Sequence, residues 1–281
     1  MSTYQSNENL ACSKALELRG RLGLGLAPIT DMAVLFESLG FDLAVIETKD
    51  ENAHGMTAKD SSSGRVFTVV SATQHPMRQR SNIAHELGHI IFGEWHESGK
   101  ADYAVRDGAE IRADAFARHL LIPEQSVKQF AEHLQVEELN LADFSKLVQT
   151  YQVSPAMAAI AASNAGVITV EAKDEFKQYS TFKLVQQFGW ADQYRALQFS
   201  SAQKKAPQRL MRRAVSAYQQ GVVGLQAVAT LRQVPLAQIE AEFVEAGIVP
   251  LPLDDNEFAD FDTLAPVSAE ELDSIFGGDD V

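Results

Sequence analysis

Two histidines four positions apart, His85 and His89, enclose a glutamate in the stretch HELGH. On an α-helix, residues at i and i+4 lie one above the other, so both imidazoles can reach one metal ion. Glu86 points away from that ion and is better placed to hold a water molecule than to bind metal. The spacing predicts metal-dependent hydrolysis, with zinc favoured among the divalent metals that such ligands suit. The alternative is two solvated histidines on a helix surface.

A catalytic zinc site needs a third protein ligand and an open position for water. His96 comes one residue too late for the metzincin spacing HExxHxxGxxH. Glu94 and Glu97 follow Gly93 so closely that the chain would have to fold back sharply, which favours a polar turn for both. Glu110, at the beginning of a second helical pattern, is the predicted third ligand.

Glu110 has a structural alternative, because Asp107 could cap this helix with Glu110 as the third residue of a capping box. Asp114 favours the metal, since at i+4 it shares the face of Glu110 and could accept the free N–H of a ligand histidine. Asp114 could also be an ordinary residue facing solvent. Tyr103 and His119 are candidates for stabilising an oxyanion, although each is more often packed or solvated.

The elements that must position these residues predict an α+β fold. We expect a mainly helical body, a small antiparallel sheet packed on the HExxH helix, and a helical C-terminal domain. Residues 10–24 and 30–39 have helical apolar spacing. Residues 41–46 and 66–70 are rich in β-branched and aromatic side chains and predict the sheet. We expect 66–70 to be an edge strand that aligns an extended substrate.

Two residues mark the ends of the HExxH helix. Pro76 sits near its start and Gly93 can cap its end. Pro123 stops the second helix, which begins at Glu110.

Two segments carry a resemblance to a known family. Residues 78–93, RQRSNIAHELGHIIFG, and residues 110–123, EIRADAFARHLLIP, resemble the ImmA/IrrE family of metallopeptidases. The second segment matches the family pattern E-x-x-A-D/N-x-F-A-x-x-L-L-x-P nearly throughout. Residues 28–31, PITD, and residues 141–168, with a helix-turn-helix-like ending, resemble the family too. The resemblance covers about the first 170 residues.

The resemblance implies that His85, His89 and Glu110 bind one zinc ion (Zn²⁺) per chain, with Glu86 as the catalytic base. Glu110 and Asp114 also resemble the ExxxD arrangement of thermolysin-like gluzincins. The family implies an endopeptidase with a narrow set of protein targets, often helix-turn-helix repressors of the Xre type in bacteria or their prophages. Other members resemble toxins paired with an Xre-like antitoxin, so a non-catalytic toxin or binding protein is the alternative.

Three regions are predicted. Residues 1–170 form the zinc metallopeptidase domain, which ends in the helix-turn-helix-like segment. Residues 171–250 form a helical domain that binds a partner or regulates, with the segment 182–199, including Trp190 and Tyr194, supplying its core. Residues 251–281 form an acidic tail, for which composition predicts disorder or docking on a basic surface.

Composition limits the location and partners of the chain. A single cysteine, Cys12, fits a reducing cytoplasm, and neither a leader nor a membrane span is expected. The formal charge of −14 is local, because thirteen of the 38 Asp and Glu residues and no Lys or Arg follow Arg232. Direct DNA binding is not expected, since the second helix of the helix-turn-helix-like pair near residues 225–246 is acidic.

Overall fold

The structure is a computed structural model, and it describes residues 3–48, 55–60, 64–94 and 108–251. The strands are β1 (Asp42–Ile46), β2 (Gly55–Lys59) and β3 (Val66–Ser71). The helices are α1 (Thr3–Arg21), α2 (Met32–Ser38), α3 (Pro76–Phe92), α4 (Gly108–Leu121), α5 (Glu124–Leu134), α6 (Leu141–Tyr151), α7 (Pro155–Asn164), α8 (Val170–Phe176), α9 (Thr181–Phe188), α10 (Ala191–Ala202), α11 (Gln208–Gln219), α12 (Leu225–Arg232) and α13 (Leu236–Glu245). These elements confirm the predicted α+β class with a mainly helical body.

The three strands form one mixed sheet in the order β1-β3-β2. β1 pairs with β3 in parallel, whereas β2 pairs with β3 antiparallel and sets Thr57 opposite Thr68. The antiparallel prediction was therefore wrong for the two strands it named, because β2 reverses the chain between them. The edge position predicted for β3 was also wrong, since β3 is central. β2 was missed because its sequence, GMTAK, has only one β-branched residue.

The helix that carries HELGH, α3, begins and ends where the sequence predicts. Pro76 occupies its first turn, where a missing backbone N–H costs nothing. Gly93 ends it in the left-handed conformation, with φ of 69°. The chain then folds back, and the N–H of Glu94 donates to the carbonyl of His89 at 2.8 Å. This cap brings the residue after the glycine against the last turn of the helix.

The second ligand helix, α4, packs directly against α3, and Gly88 of HELGH makes that contact possible. A methyl group at Gly88 would lie 3.0 Å from the Cα of Ala113 and 3.3 Å from the ring of Phe116. Phe116 is fully buried at this contact. The glycine therefore sets the separation between the helix of the two histidines and the helix of Glu110.

Arg80, a buried arginine, fixes the N-terminal half of α3. Its guanidinium donates to the carbonyls of Ile29 at 2.6 Å, Thr30 at 3.1 Å and Gln152 at 3.2 Å. Burial lowers the pKa of Arg80 to about 10. Three carbonyls nevertheless hold its N–H groups, so α3 is anchored to the loop before α2 and to the end of α6.

The buried apolar side chains form two clusters. The larger one extends from α1 to α10 and so continues past the boundary predicted at residue 170. It contains Trp190 and Tyr194, and the indole N–H of Trp190 donates to Ser145 of α6 at 3.1 Å. The smaller cluster joins α11, α12 and α13 around Ile239 and Phe243. The expectation that Trp190 and Tyr194 supply the core of these last helices was therefore wrong.

A short segment, residues 201–205, ties the chain between the two clusters to the sheet and to α3. Val45 and Lys205 exchange backbone hydrogen bonds of 2.8 and 2.9 Å. The side chain of Gln79 donates to the carbonyl of Ser201 at 2.8 Å, and the Ser201 hydroxyl donates to the carbonyl of Thr73 at 2.7 Å. The outer edge of β1 is thus partly covered.

Two features bear on binding partners. Within the described residues, no helix combines the length and apolar character needed to cross a lipid bilayer. α12 and α13 form the helix-turn-helix-like pair, and Glu240 and Glu245 of α13 are exposed. The acidic tail from residue 252 lies outside the described residues. The absence of DNA binding therefore stays a prediction, supported by the charge of α13.

Candidate metal centre

The structure brings His85, His89 and Glu110 together where α3 meets α4. The two Nε2 atoms are 3.0 Å apart, and the Glu110 carboxylate lies 3.3 Å from Nε2 of His85 and 3.4 Å from Nε2 of His89. A tetrahedral zinc ion with bonds of about 2.0–2.1 Å places its ligands about 3.3 Å apart. Both the donor atoms and their separations therefore fit zinc.

The charges in this group also suit a cation. Burial opposes a charge on His85, but hydrogen bonds with Asp114 and Glu110 outweigh burial and raise the pKa of His85 to about 10. Hydrogen bonds with His85 and His89 in turn lower the pKa of Glu110 far below its usual range. The carboxylates thus hold a positive charge between them. A divalent metal supplies that charge, and its binding releases the proton.

Asp114 lies beside the other ring nitrogen of His85. Its Oδ1 is 2.9 Å from Nδ1 of His85, while Nε2 of the same ring faces Glu110. Because Asp114 follows Glu110 by one helical turn, α4 places one carboxylate on each side of this imidazole. Such a partner fixes the tautomer and the orientation of a ligand histidine.

Glu86 contacts the sheet, and its carboxylate is nearly buried. Oγ1 of Thr57 on β2 donates to Oε2 of Glu86 at 2.6 Å and lies 2.9 Å from Oγ1 of Thr68 on β3. Since Thr57 gives its one hydrogen to Glu86, Thr68 must donate to Thr57. Gly55 leaves room for the carboxylate, because a methyl group there would lie 2.7 Å from Oε1. β2 therefore fixes the position of Glu86.

A further carboxylate, Glu94, faces His89. Its Oε2 is 3.6 Å from Nδ1 of His89. Arg112 of α4 donates through Nε to Oε1 of Glu94 at 2.8 Å, and Nη2 donates to the same oxygen. Glu94 was not predicted beside the ligands because the chain would have to reverse sharply, and Gly93 makes that reversal. Glu94 is not one of the three residues that converge on a metal position.

Of the other candidate residues, the structure describes His119, which lies outside this site. His119 is buried, and its Nε2 pairs with Oε1 of Glu8 at 2.7 Å, so it is a packed residue, as the alternative given for it in the sequence analysis has it. Four further candidates lie outside the described residues: His96, Glu97, Tyr103 and Asp107.

Sequence reasoning missed Thr57, Thr68, Glu94 and Arg112. The two threonines belong to strands 29 and 18 residues before Glu86, so no local spacing connects them with it. Glu94 and Arg112 meet only because α3 ends at Gly93 and α4 packs against it. The one available signal was the left-handed cap that a glycine after a helix predicts.

The part of the chain that holds this site matches a known protein family. Residues 36–163 match a peptidase family described as the IrrE N-terminal-like domain. The matched region contains the whole of α3 and α4, and therefore all the residues that converge at the candidate metal centre. No curated protein shows a significant sequence match to this chain.

Proposed function

Residues 36–163 belong to the ImmA/IrrE family of metallopeptidases, and from this we propose that the chain is a zinc-dependent endopeptidase with narrow specificity. The convergence of His85, His89 and Glu110 is the observation that carries the proposal. Two imidazoles and one carboxylate, spaced as a tetrahedral ion requires, are the ligands of catalytic zinc sites that leave one position open. His85 and His89 come from one helix and Glu110 from its neighbour, as in the predicted assignment.

The chemistry divides between the metal and Glu86. His85, His89 and Glu110 would hold the zinc ion, which would act as a Lewis acid that lowers the pKa of the attacking water to about 7 and polarises a peptide carbonyl. Glu86 takes the proton from the attacking water and returns it to the leaving amine. Because Oε2 of Glu86 accepts from Thr57 at 2.6 Å, Oε1 is the oxygen that receives the proton. Asp114 holds His85 in the tautomer that presents Nε2 to the metal.

The strand that aligns the substrate in this proposal is β2. Two residues of β2, Gly55 and Thr57, contact the Glu86 side chain or limit its space. No strand of the described part of the chain pairs with the outer side of β2. An extended peptide that adds to this side would lie beside Glu86 and gain backbone hydrogen bonds along its length. We therefore propose that β2 aligns the substrate, and not β3 as the sequence predicted.

The proposed substrate is a helix-turn-helix repressor of the Xre type or an antitoxin of that kind, cleaved in the cytoplasm, where such regulators act. The family resemblance supports this choice. An extended backbone at β2 would require a folded repressor to expose a linker or a loop for cleavage. Cleavage would then change transcription by removing the repressor.

Coexpression with the product of the neighbouring gene tests the proposal. The wild-type chain is compared with Glu86→Gln, which keeps the size of the side chain and leaves the three metal ligands intact. We expect partner fragments with the wild type alone, and equal zinc content in both proteins. Equal effects on growth without fragments would instead identify a toxin or binding protein that does not cleave its partner.

A further inference from the structure

We propose that Glu94 is a positioning residue that acts through His89: its carboxylate accepts the Nδ1–H of His89 and so directs Nε2 toward the metal. The inference rests on the proposed function, because it assigns a part within the same metal site. It gives each ligand histidine its own carboxylate partner. Asp114 of α4 serves His85, and Glu94, in the turn after α3, serves His89.

The orientation of the His89 ring supports the assignment. Nε2 of His89 lies 3.4 Å from Glu110 and 3.0 Å from Nε2 of His85, so this nitrogen faces the metal position. A neutral imidazole that binds metal through Nε2 carries its hydrogen on Nδ1. Nδ1 is the ring nitrogen close to Glu94, whose Oε2 lies 3.6 Å away. The donor and the acceptor therefore face each other.

The separation is slightly longer than a hydrogen bond, which requires about 2.7–3.2 Å between nitrogen and oxygen. A small rotation of either side chain closes the difference. Oε2 of Glu94 is buried, and no hydrogen-bond donor reaches it among the residues that the structure describes. A buried carboxylate oxygen without a donor is costly, so closing this contact is favourable.

Arg112 holds the other carboxylate oxygen of Glu94, Oε1. Two of its N–H groups donate to Oε1 of Glu94, which leaves Oε2 directed at His89. A third N–H donates to Oδ1 of Asn7 on α1 at 3.1 Å, and the guanidinium lies 5.9 Å from the centre of the Phe92 ring. Helices α1, α3 and α4 thus hold Arg112, and through it the carboxylate, before any metal binds.

The test measures zinc affinity on the full chain by competition with a chelator. We expect Glu94→Ala to weaken zinc binding about tenfold to a hundredfold, the range typical for removing a carboxylate that orients a ligand histidine. Glu94→Gln should lose less, because its amide oxygen can still accept the hydrogen. In zinc-loaded protein with ¹⁵N-labelled histidine, the Nδ1–H resonance of His89 should shift in Glu94→Gln and exchange with water faster in Glu94→Ala.

Glu8→Gln is the matched control, since Glu8 is, like Glu94, a partly buried glutamate with one arginine and one histidine partner. It should leave zinc affinity within about twofold of the wild type, because it contacts no residue of the metal site. If Glu94→Ala does not fold, Arg112→Gln frees the carboxylate without removing it, and weaker zinc binding with a shifted His89 resonance is expected.

Two results would overturn the inference, and they differ in what else they overturn. Zinc affinity and a His89 resonance unchanged by Glu94→Ala, or by Arg112→Gln in its place, would remove Glu94 from the site and leave the proposed function standing. A wild-type protein that binds no zinc at neutral pH would overturn the proposed function and this inference with it.

Discussion

Replacing Gly55 with alanine should separate the position of Glu86, the proposed catalytic base, from the binding of the metal. Gly55 begins β2, and an added methyl group would lie 2.7 Å from Oε1 and 2.9 Å from Cγ of Glu86. Ordinary contacts begin near 3.4 Å, so the Glu86 side chain must move by about 0.5–0.7 Å. That movement also lengthens the hydrogen bond from Thr57, which is 2.6 Å in the native protein.

The expected effects on stability and on rate are unequal. The end of a glutamate side chain can shift at small cost, so the free energy of unfolding should change by less than about 1 kcal/mol. Catalysis depends on placement more steeply, because a misplacement of about 1 Å can cost a factor of about 100. We therefore expect Gly55→Ala to lower kcat by about 10- to 25-fold. Zinc affinity should stay unchanged, since the methyl group meets Glu86 and none of the ligands.

The assay follows cleavage of the partner protein under saturating conditions, beside zinc titration and thermal unfolding. Gly20→Ala is the control, because a methyl group at Gly20 meets nothing within 4 Å. It should leave both rate and zinc affinity unaltered. Full activity in Gly55→Ala would refute the reasoning that β2 fixes the base. A parallel loss of zinc would show that the change is not confined to Glu86.

Two further predictions concern the helices around the site. Gly88→Ala should lower the free energy of unfolding by about 1–3 kcal/mol and weaken zinc binding, because its methyl group would lie 3.0 Å from the Cα of Ala113 and push α4 from α3. Denaturant unfolding and zinc titration measure the two effects, and a zinc affinity equal to that of the wild type would contradict the prediction. Glu8→Gln should lose about 2–3 kcal/mol at pH 7, since hydrogen bonds from His119 and Arg118 lower the pKa of Glu8 from 4.5 to about 2. A lowered carboxyl pKa stabilises the fold above pH 4.5, and this stabilisation is lost as the pH falls toward 2. Denaturant titrations should therefore show that the free energies of unfolding of the wild type and Glu8→Gln become equal near pH 2.

The sequence predicted the parts of the fold that depend on local periodicity. The ends of α3 follow from Pro76 and Gly93, and α4 follows from the apolar spacing that begins at Glu110. The sheet was predicted less well, because strand order and direction depend on pairing between distant segments. β2 has little β-propensity of its own and is held by its register with β3, so no local pattern indicated it.

The candidate metal ligands were the easiest part of the site to predict, because helical spacing alone puts His85 and His89 on one face. Asp114 followed from Glu110 by the same rule. The residues that hold the site were missed because their contacts cross between elements. Thr57 reaches Glu86 from the sheet, and Glu94 reaches His89 only through a left-handed glycine.

The contacts of residues 201–205 have a consequence for the order in which the protein matures. A chain made from its N-terminus completes the family-matched region at residue 163, long before Ser201 and Lys205 exist. Gln79 on α3 and Val45 on β1 then still lack partners that the finished protein supplies. The hydrogen bonds that join α3 and β1 to residues 201–205 therefore form only after residue 205 has been synthesised.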